Sequence, residues 1–295
     1  MVDRHVAATE RRRGMAERPA HRRPGASADQ ATLFDAATVS SATVAAGPMS
    51  LSVTGLVSYR RCPRQYYWMA VQPLPRRASL AARIGTEVHR WIGQRSGGQV
   101  GLLEPEPDDE LLDPIDPGDI DDGAPASVLA ALRAAFLGSP YAELDPERVE
   151  VPFVLVVGGR AVRGRIDAVY RRGGRLELVD FKTGSPAEDG DQAASAQLDL
   201  YAVAATDVWG EDASALRTTY CYLHRDGSHD LVETDWDADR LAVVRADLSA
   251  SLAGVAAGEY RATPGRWCGR CEWREVCRPG RAFLDSTARS AGATG

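Results

Sequence analysis

Two glycine pairs, Gly158-Gly159 and Gly173-Gly174, constrain what this chain can fold into more than any other feature. Each is a two-residue turn signal, and runs with strand character flank both. Val149–Val157 is apolar and β-branched, Arg160–Tyr170 alternates weakly, and Arg175–Lys182 forms a third run. Three strands joined by two tight turns make a β-meander. Pro152 has no N–H to give to a ladder, which suits the first strand if it lies at a sheet edge. Counting outward from both turns sets the register: Asp167 falls opposite Asp180, and Glu150 opposite Asp167. Directly opposed side chains have Cβ atoms roughly 4.5–5.5 Å apart. Like charges that close are destabilising unless a cation neutralises them or a proton is shared. Oxygen ligands of this kind suit Mg²⁺ or Mn²⁺. A bulge would turn Glu150 away from the row.

Lys182 follows Asp180 by two residues and so shares its face. The chain has 35 basic residues, and Lys182 is its single lysine; every other one is arginine. A bias against lysine codons accounts for the arginines but not for the survivor. Its place calls for a compact ammonium that can shift its proton, where a planar guanidinium fails. Such a lysine can orient or deprotonate an attacking water, or stabilise charge on a phosphate, which completes the chemistry of metal-assisted phosphodiester hydrolysis. A solvent-facing acidic residue is ordinary when alone. Three in register beside the only lysine are a candidate active site.

Around this meander the pattern is α/β. Ala81–Gln94 reads as a helix carrying Gly85 and His89, and Ser127–Phe136 as a short helix. Ala193–Val208 is a helix with Gln197 and Tyr201 one turn apart on one face. Leu216–His224 reads as a strand and Ala238–Ala257 as a helix. Residues 1–49 are rich in Arg, Ala, Ser, Thr and Gly and read as a disordered arm. Order is expected from residue 51 to 283, with an acidic, Pro-rich insertion over 104–125 and a flexible tail over 284–295.

The net charge of −6 argues at first against a nucleic-acid partner. Ten acidic residues lie between Glu104 and Asp122 with no Lys or Arg among them, and the rest of the chain is net basic, so an electropositive groove stays open. No apolar run approaches the roughly 20 residues of a membrane span, and the Arg-rich start lacks a signal-peptide core. The expectation is no membrane and a cytoplasmic location.

Five cysteines, Cys62, Cys221, Cys268, Cys271 and Cys277, argue by their odd count against a disulfide framework. Cys268-x-x-Cys271-x5-Cys277 supplies three clustered thiolates, and Cys62 can supply a fourth. Four thiolates can hold zinc or an iron–sulfur cluster, and spacing alone does not separate them. Cys221 lies on an apolar strand and reads as core. Trp267 and Trp273 beside this knot suit either stacking on single-stranded DNA or packing.

Taken in order, these residues resemble the PD-(D/E)XK nuclease superfamily, in particular its RecB-like branch. Gly164-Arg165-Ile166-Asp167 is similar to the family's Gly-x-x-Asp strand, and Asp180-Phe181-Lys182 to its Asp-x-Lys strand. His89 matches an upstream helical histidine, and Gln197-x-x-x-Tyr201 a downstream helix motif. Ile166 stands where many members have Pro. The resemblance implies a mixed central sheet flanked by helices, a restriction-endonuclease-like core. It further implies that His89, Asp167, Asp180 and the Phe181 backbone carbonyl hold the metal, with Glu150 a further candidate from the register. Lys182 would be the catalytic lysine, with Gln197 and Tyr201 against the site or the DNA. One remote cysteine with three clustered ones is similar to the iron–sulfur staple of AddB-type and CRISPR-associated nucleases. It implies a [4Fe–4S] cluster on Cys62, Cys268, Cys271 and Cys277, with a knot over 262–280 joined to the start of the domain.

The implied activity is Mg²⁺- or Mn²⁺-dependent hydrolysis of DNA, exonucleolytic on single-stranded ends, in repair or recombination. No phosphate-binding Gly-x-x-x-x-Gly-Lys loop is present, so a helicase would be a separate chain. Gln30–Phe34 resembles a sliding-clamp docking peptide. The rival readings are a non-catalytic iron–sulfur DNA-end-binding module, a CRISPR spacer-adaptation nuclease and a zinc-stabilised regulatory protein.

Overall fold

The expected hairpins form, and their glycines show why. Gly158 and Gly159 have φ of 56° and 76°, and Gly173 and Gly174 have 60° and 79°. Only a backbone that tolerates positive φ at both central positions makes the tight turn whose twist matches the flanking strands. The computed structural model describes residues 50–75, 80–97, 124–184 and 195–292. The meander comprises β2 (Arg148–Val157), β3 (Arg160–Arg172) and β4 (Arg175–Lys182). With β1 (Ser50–Ser52), β5 (Leu216–Leu223) and β6 (His229–Asp235) it builds one mixed six-stranded sheet. β2 and β4 run antiparallel to β3, β1 runs parallel to it, β5 is parallel to β4, and β6 is antiparallel to β5. β2, with Pro152, pairs with β3 alone, which places that proline on an edge strand.

Helices cover both faces. α1 (Val53–Arg61), α5 (Ala196–Asp207) and α6 (Ala238–Ala256) pack over one core with Leu56, Leu178, Leu200 and Leu248. α3 (Leu80–Arg95) and α4 (Ala124–Leu137) pack over the other with Val88, Phe136, Val179 and Phe181. The short α2 (Pro63–Tyr66) runs on into a π-helical turn, Tyr67–Val71. The Ser52 side chain caps α1 by accepting from Gly55 N–H at 2.9 Å, and Asp237 caps α6 by accepting from Arg240 N–H at 2.7 Å. No described helix is long and apolar enough to cross a membrane.

One edge of β3 is shared. β1 occupies it at Ala161–Arg163 and β4 at 168–172, so Gly164–Asp167 lie between two strands that do not meet. Gly164 lets α1 approach this gap: a Cβ there would fall 2.3 Å from Val53 Cγ2 and 2.7 Å from Phe153.

The structure departs from the expected boundaries in two places. The stretch from 284, expected as a tail, continues as helix α7 (Arg278–Gly292), in which Phe283 and Leu284 are half-buried. β6 and β1 were not anticipated. The expected arm over 1–49, its Gln30–Phe34 peptide and nearly all of the acidic insertion lie outside the described residues.

Candidate metal and catalytic site

Around the carboxylates the counted register holds. Val149 pairs with Ala168 and Val151 with Ile166, so Glu150 and Asp167 stand opposite each other. The pleat does not run smoothly through them. Residues two apart on a strand should share a face, yet Val149 packs into the α3–α4 core and Val151 into the other. Ile166 and Ala168 divide the same way. Both strands therefore reset their pleat at this one pair. Glu150 bears the distortion, with φ of 50°, the single positive value at a non-glycine among the described residues. A left-handed Glu costs on the order of 1–3 kcal/mol, and such strain collects at functional sites.

The β3–β4 ladder also ends here, at Ala168 opposite Val179. Instead of continuing to Asp167 opposite Asp180, the strands separate. The Phe181 N–H donates to the Asp167 carboxylate at 2.8 Å. This corrects the simple row of three: the pleat reset divides the acids into two groups that touch.

The first group is His89, Glu150 and Asp167. One ligand atom from each lies within 4.8 Å of the others. Helix α3 brings His89 to the gap, with Nδ1 3.3 Å from Asp167 Oδ2. Arg165 Nη1 donates to Glu150 at 3.2 Å. Burial works against charge on His89, but Asp167 and Asp180 outweigh it and hold the imidazole up at about 9. Burial likewise opposes ionisation of Asp167, but the His89 charge and hydrogen bond, the Phe181 N–H and Lys182 hold its carboxyl below the usual range.

The second group is Asp180, Lys182, Gln197 and Tyr201. Helix α5 sets Gln197 and Tyr201 one turn apart over β4, as its spacing foretold. Gln197 Nε2 donates to Asp180 Oδ1 at 2.5 Å and to the Tyr201 hydroxyl at 2.8 Å. Tyr201 donates to the Arg165 carbonyl at 2.7 Å, which satisfies a backbone group in the gap between β1 and β4. Lys182 Nζ donates to Gln197 Oε1 at 2.7 Å and lies 2.7 Å from Asp180 Oδ2. That last contact is an ion pair, and among the described residues no other donor reaches the buried Asp180 Oδ2. Burial pushes the Asp180 carboxyl up, helped by Asp167, against the pull of Lys182. Burial opposes charge on Lys182 too, but Asp180 and Asp167 raise it. Lys182 is thus held as an ammonium, suited to orienting a water or balancing phosphate charge.

Sequence reasoning missed two supporting residues. Asp199, buried on α5, pairs with Arg60 of α1 at 3.2 Å and accepts from Ser195 Oγ at 3.1 Å, which anchors the helix that carries Gln197. Arg165 was visible only as a filler between Gly164 and Asp167, and nothing in the sequence marked it as the partner of Glu150.

Cys62, Cys268, Cys271 and Cys277 line one pocket, with Trp68, Trp267 and Gly280. Cys62 comes from the start of the domain and the other three from its end. A Cβ on Gly280 would lie 3.4 Å from the sulfurs of both Cys268 and Cys277. Burial first, and then the neighbouring thiols, push the Cys268 and Cys271 thiols up. No three of these sulfurs lie mutually within 4.8 Å. Trp273 is buried against Trp68, ring centroids 6.1 Å apart, so it packs the knot. Cys221 is core, as its apolar strand suggested.

A family model described as the PD-(D/E)XK nuclease superfamily matches residues 50–278. A search of curated proteins gives no match. Among solved structures, the protein SSO0001 is 16% identical, covering 78% of this chain and 87% of its own, with a TM-score of 0.42. A protein from Eubacterium rectale, described as an exonuclease candidate, is 12% identical over 79% of this chain and 88% of its own, with a TM-score of 0.48. LHK-Exo in complex with dAMP is 15% identical over 73% of this chain and 92% of its own, with a TM-score of 0.32. All three scores fall below 0.5, so the family assignment rests on the family model.

Proposed function

Because this chain belongs to the PD-(D/E)XK nuclease superfamily, we propose that it is a divalent-metal-dependent deoxyribonuclease acting on single-stranded DNA ends. One observation carries the reading: His89, Glu150 and Asp167 converge within 4.8 Å beside the Asp180–Lys182 pair. One imidazole and carboxylate oxygens are a donor set for Mg²⁺ or Mn²⁺. The buried Oδ2 of Asp180, held only by Lys182, gives the same site a further acceptor. His89, Asp167 and Asp180 would hold the ion, with Glu150 and the Phe181 carbonyl as further ligands. A bound divalent cation supplies Lewis acidity at a phosphoryl oxygen and acidifies its water. The protein's part is positioning. Lys182 offers ammonium protons to the attacking water or the phosphate, and Gln197 and Tyr201 fix Asp180.

The reading extends to a [4Fe–4S] cluster on Cys62, Cys268, Cys271 and Cys277. Zinc–thiolate bonds of about 2.3 Å would draw four sulfurs to within about 4 Å of one another, a tighter set than these thiols form. A cluster here ties the first helix of the domain to its last, across a loop of about 200 residues, where a cross-link restrains the unfolded chain strongly. A setting in DNA repair or recombination, beside a helicase on another chain, belongs to the same proposal, as do a sliding-clamp contact through Gln30–Phe34 and a cytoplasmic location.

The test is degradation of end-labelled single- and double-stranded DNA by anaerobically purified protein, with Mg²⁺ or Mn²⁺ or with chelator, beside Asp180→Ala and Lys182→Ala. Metal-dependent cleavage that both variants lose supports the reading, and the product ladder gives polarity. Intact, DNA-binding protein that cleaves nothing removes the stand-alone enzyme. Iron and sulfide content of the same preparation, against Cys62→Ser, tests the cluster.

A further inference from the structure

Beyond the Glu150–Asp167 pair, β2 and β3 run on as a ribbon with one covered face and one bare face. Phe153, Leu155, Val162 and Ile166 are buried in the core beneath α1 and α5. The side chains that alternate with them point the other way. These are Pro152, Val154 and Val156 on β2 and Arg163 and Arg165 on β3. Val154 is 53% exposed and Val156 68%; Pro152 and Arg163 are exposed as well. The register sets Pro152 beside Arg165 and Val154 beside Arg163. Scattered surface valines need no explanation. Here the apolar residues form one row, the arginines form the next, and both rows begin at the candidate metal ligands.

We propose that this bare ribbon face is the track along which single-stranded DNA leaves the cleavage site, with Arg165 and Arg163 on successive phosphates and Pro152, Val154 and Val156 beneath sugars and bases. The inference rests on the nuclease reading and names the path of its substrate. Three observations favour a nucleic-acid strand over other occupants. The charge is complementary, since the face bears guanidinium groups outward from a site already acidic. The surface is continuous with that site, because Asp167, Arg165 and Arg163 follow one another on β3. Their spacing fits too: side chains two apart on a strand are about 7 Å from each other, comparable with neighbouring phosphates of an extended strand. Both arginines are held in place, Arg165 by Glu150 and Arg163 by a 2.8 Å bond to Ser50 Oγ. An apolar floor reads no base edge, so the track is tolerant of sequence.

The experiment measures affinity for fluorescently labelled oligothymidylates of graded length, by anisotropy in chelator, so that cleavage plays no part. Wild type is compared with Arg163→Ala and with Val154→Glu/Val156→Glu, and melting temperatures verify that each variant folds. Arg163→Ala weakens binding about two- to fivefold, the factor an exposed ion pair carries. It also flattens the plot of log affinity against log salt by about 0.7. The penalty is absent for a dinucleotide and appears once about two to three nucleotides extend past the site, since Arg163 lies about 13 Å along β3 from Asp167. The double glutamate variant weakens long strands further, while turnover of a small chromogenic phosphodiester is unchanged in every variant.

Equal affinity of variants and wild type at every length overturns the track, as does a wild type that binds no strand. It is equally overturned if the glutamates change only self-association, which makes the face a contact with a second copy. Wild-type binding with these signatures but no cleavage sinks the nuclease reading and leaves the track standing. Metal-dependent cleavage with unaltered binding in the variants does the reverse.

Discussion

Two buried acids lie three residues apart on β4, and the chain treats them oppositely. Glu177 faces the α3–α4 side and is fully satisfied. It accepts from Arg172 at 2.5 and 2.8 Å, from Thr219 Oγ1 at 2.6 Å and from Tyr141 at 2.7 Å. Burial alone would raise its carboxyl, but these partners, Arg172 first, hold it below the ordinary range. Asp180 faces α5 with Oδ1 hydrogen-bonded to Gln197 and Oδ2 held only by the Lys182 ammonium, and its carboxyl is pushed up by burial. Buried polar groups are nearly always paired; Glu177 has donors on both oxygens, whereas Asp180 leaves one oxygen to a single ammonium. The difference marks one acid as built to hold the sheet together and the other as kept ready for something absent from the chain itself.

The sharpest way to break this comparison is to neutralise each acid in turn. Asp180→Asn should cut nuclease turnover about 10²–10³-fold, the scale of removing one preorganised charged group. Its melting temperature should stay close to wild type, because a strained charge is removed. DNA-degradation rates and thermal melts on the same preparation check both halves. Glu177→Gln should do the opposite. It removes the charge of a buried carboxylate bonded to the half-buried Arg172 and should cost about 1–3 kcal/mol in denaturant unfolding, while the folded fraction cleaves at the wild-type rate. Equal activity losses in the two variants would erase the distinction.

Gln197→Ala should sit between these effects, with a loss of about 10–100-fold, the range for groups that orient ligands. Tyr201→Phe should lose less, since Gln197 still holds Asp180. The smallest effect is in pH. The Glu177 carboxyl is depressed in the folded state, so its contribution is complete above the unfolded value near 4.5 and fades as pH falls through its lowered value. The stability gap between wild type and Glu177→Gln, followed by denaturant titration from neutral to acid, should therefore narrow below that pH. A gap that widens instead would mean Glu177 is not held ionised by its partners.

The register of the meander was legible because a two-residue turn of two glycines leaves a hairpin little freedom, and the residues beside Glu150 and Asp167 pair where counting placed them. The residues that meet at the site were legible too: His89, Glu150, Asp167, Asp180, Lys182, Gln197 and Tyr201 all reach one gap in the sheet. What the sequence hid was the pleat reset. A left-handed Glu has no sequence signal, so the division of the acids into two touching groups was invisible. Nor did anything separate Glu177 from Asp180, since burial and partners come from tertiary packing. β6 could have been found. Asp226-Gly227 is a hairpin signal, and Gly227 has φ of 86°. The charges of that edge strand disguised it. α7 went unseen because its residues are mostly polar and small.

The hydrogen bond from the Phe181 amide to the Asp167 carboxylate has one more consequence. Amides in the paired part of the β3–β4 ladder, 168–172 with 175–179, are locked by carbonyls of a neighbouring strand and exchange with deuterium when the sheet opens. The Phe181 amide is locked by a side chain that could instead bind a cation. Its exchange rate and its nuclear resonance therefore report the occupancy of Asp167 directly. A single backbone proton becomes a built-in gauge of metal loading, readable without any substrate turning over.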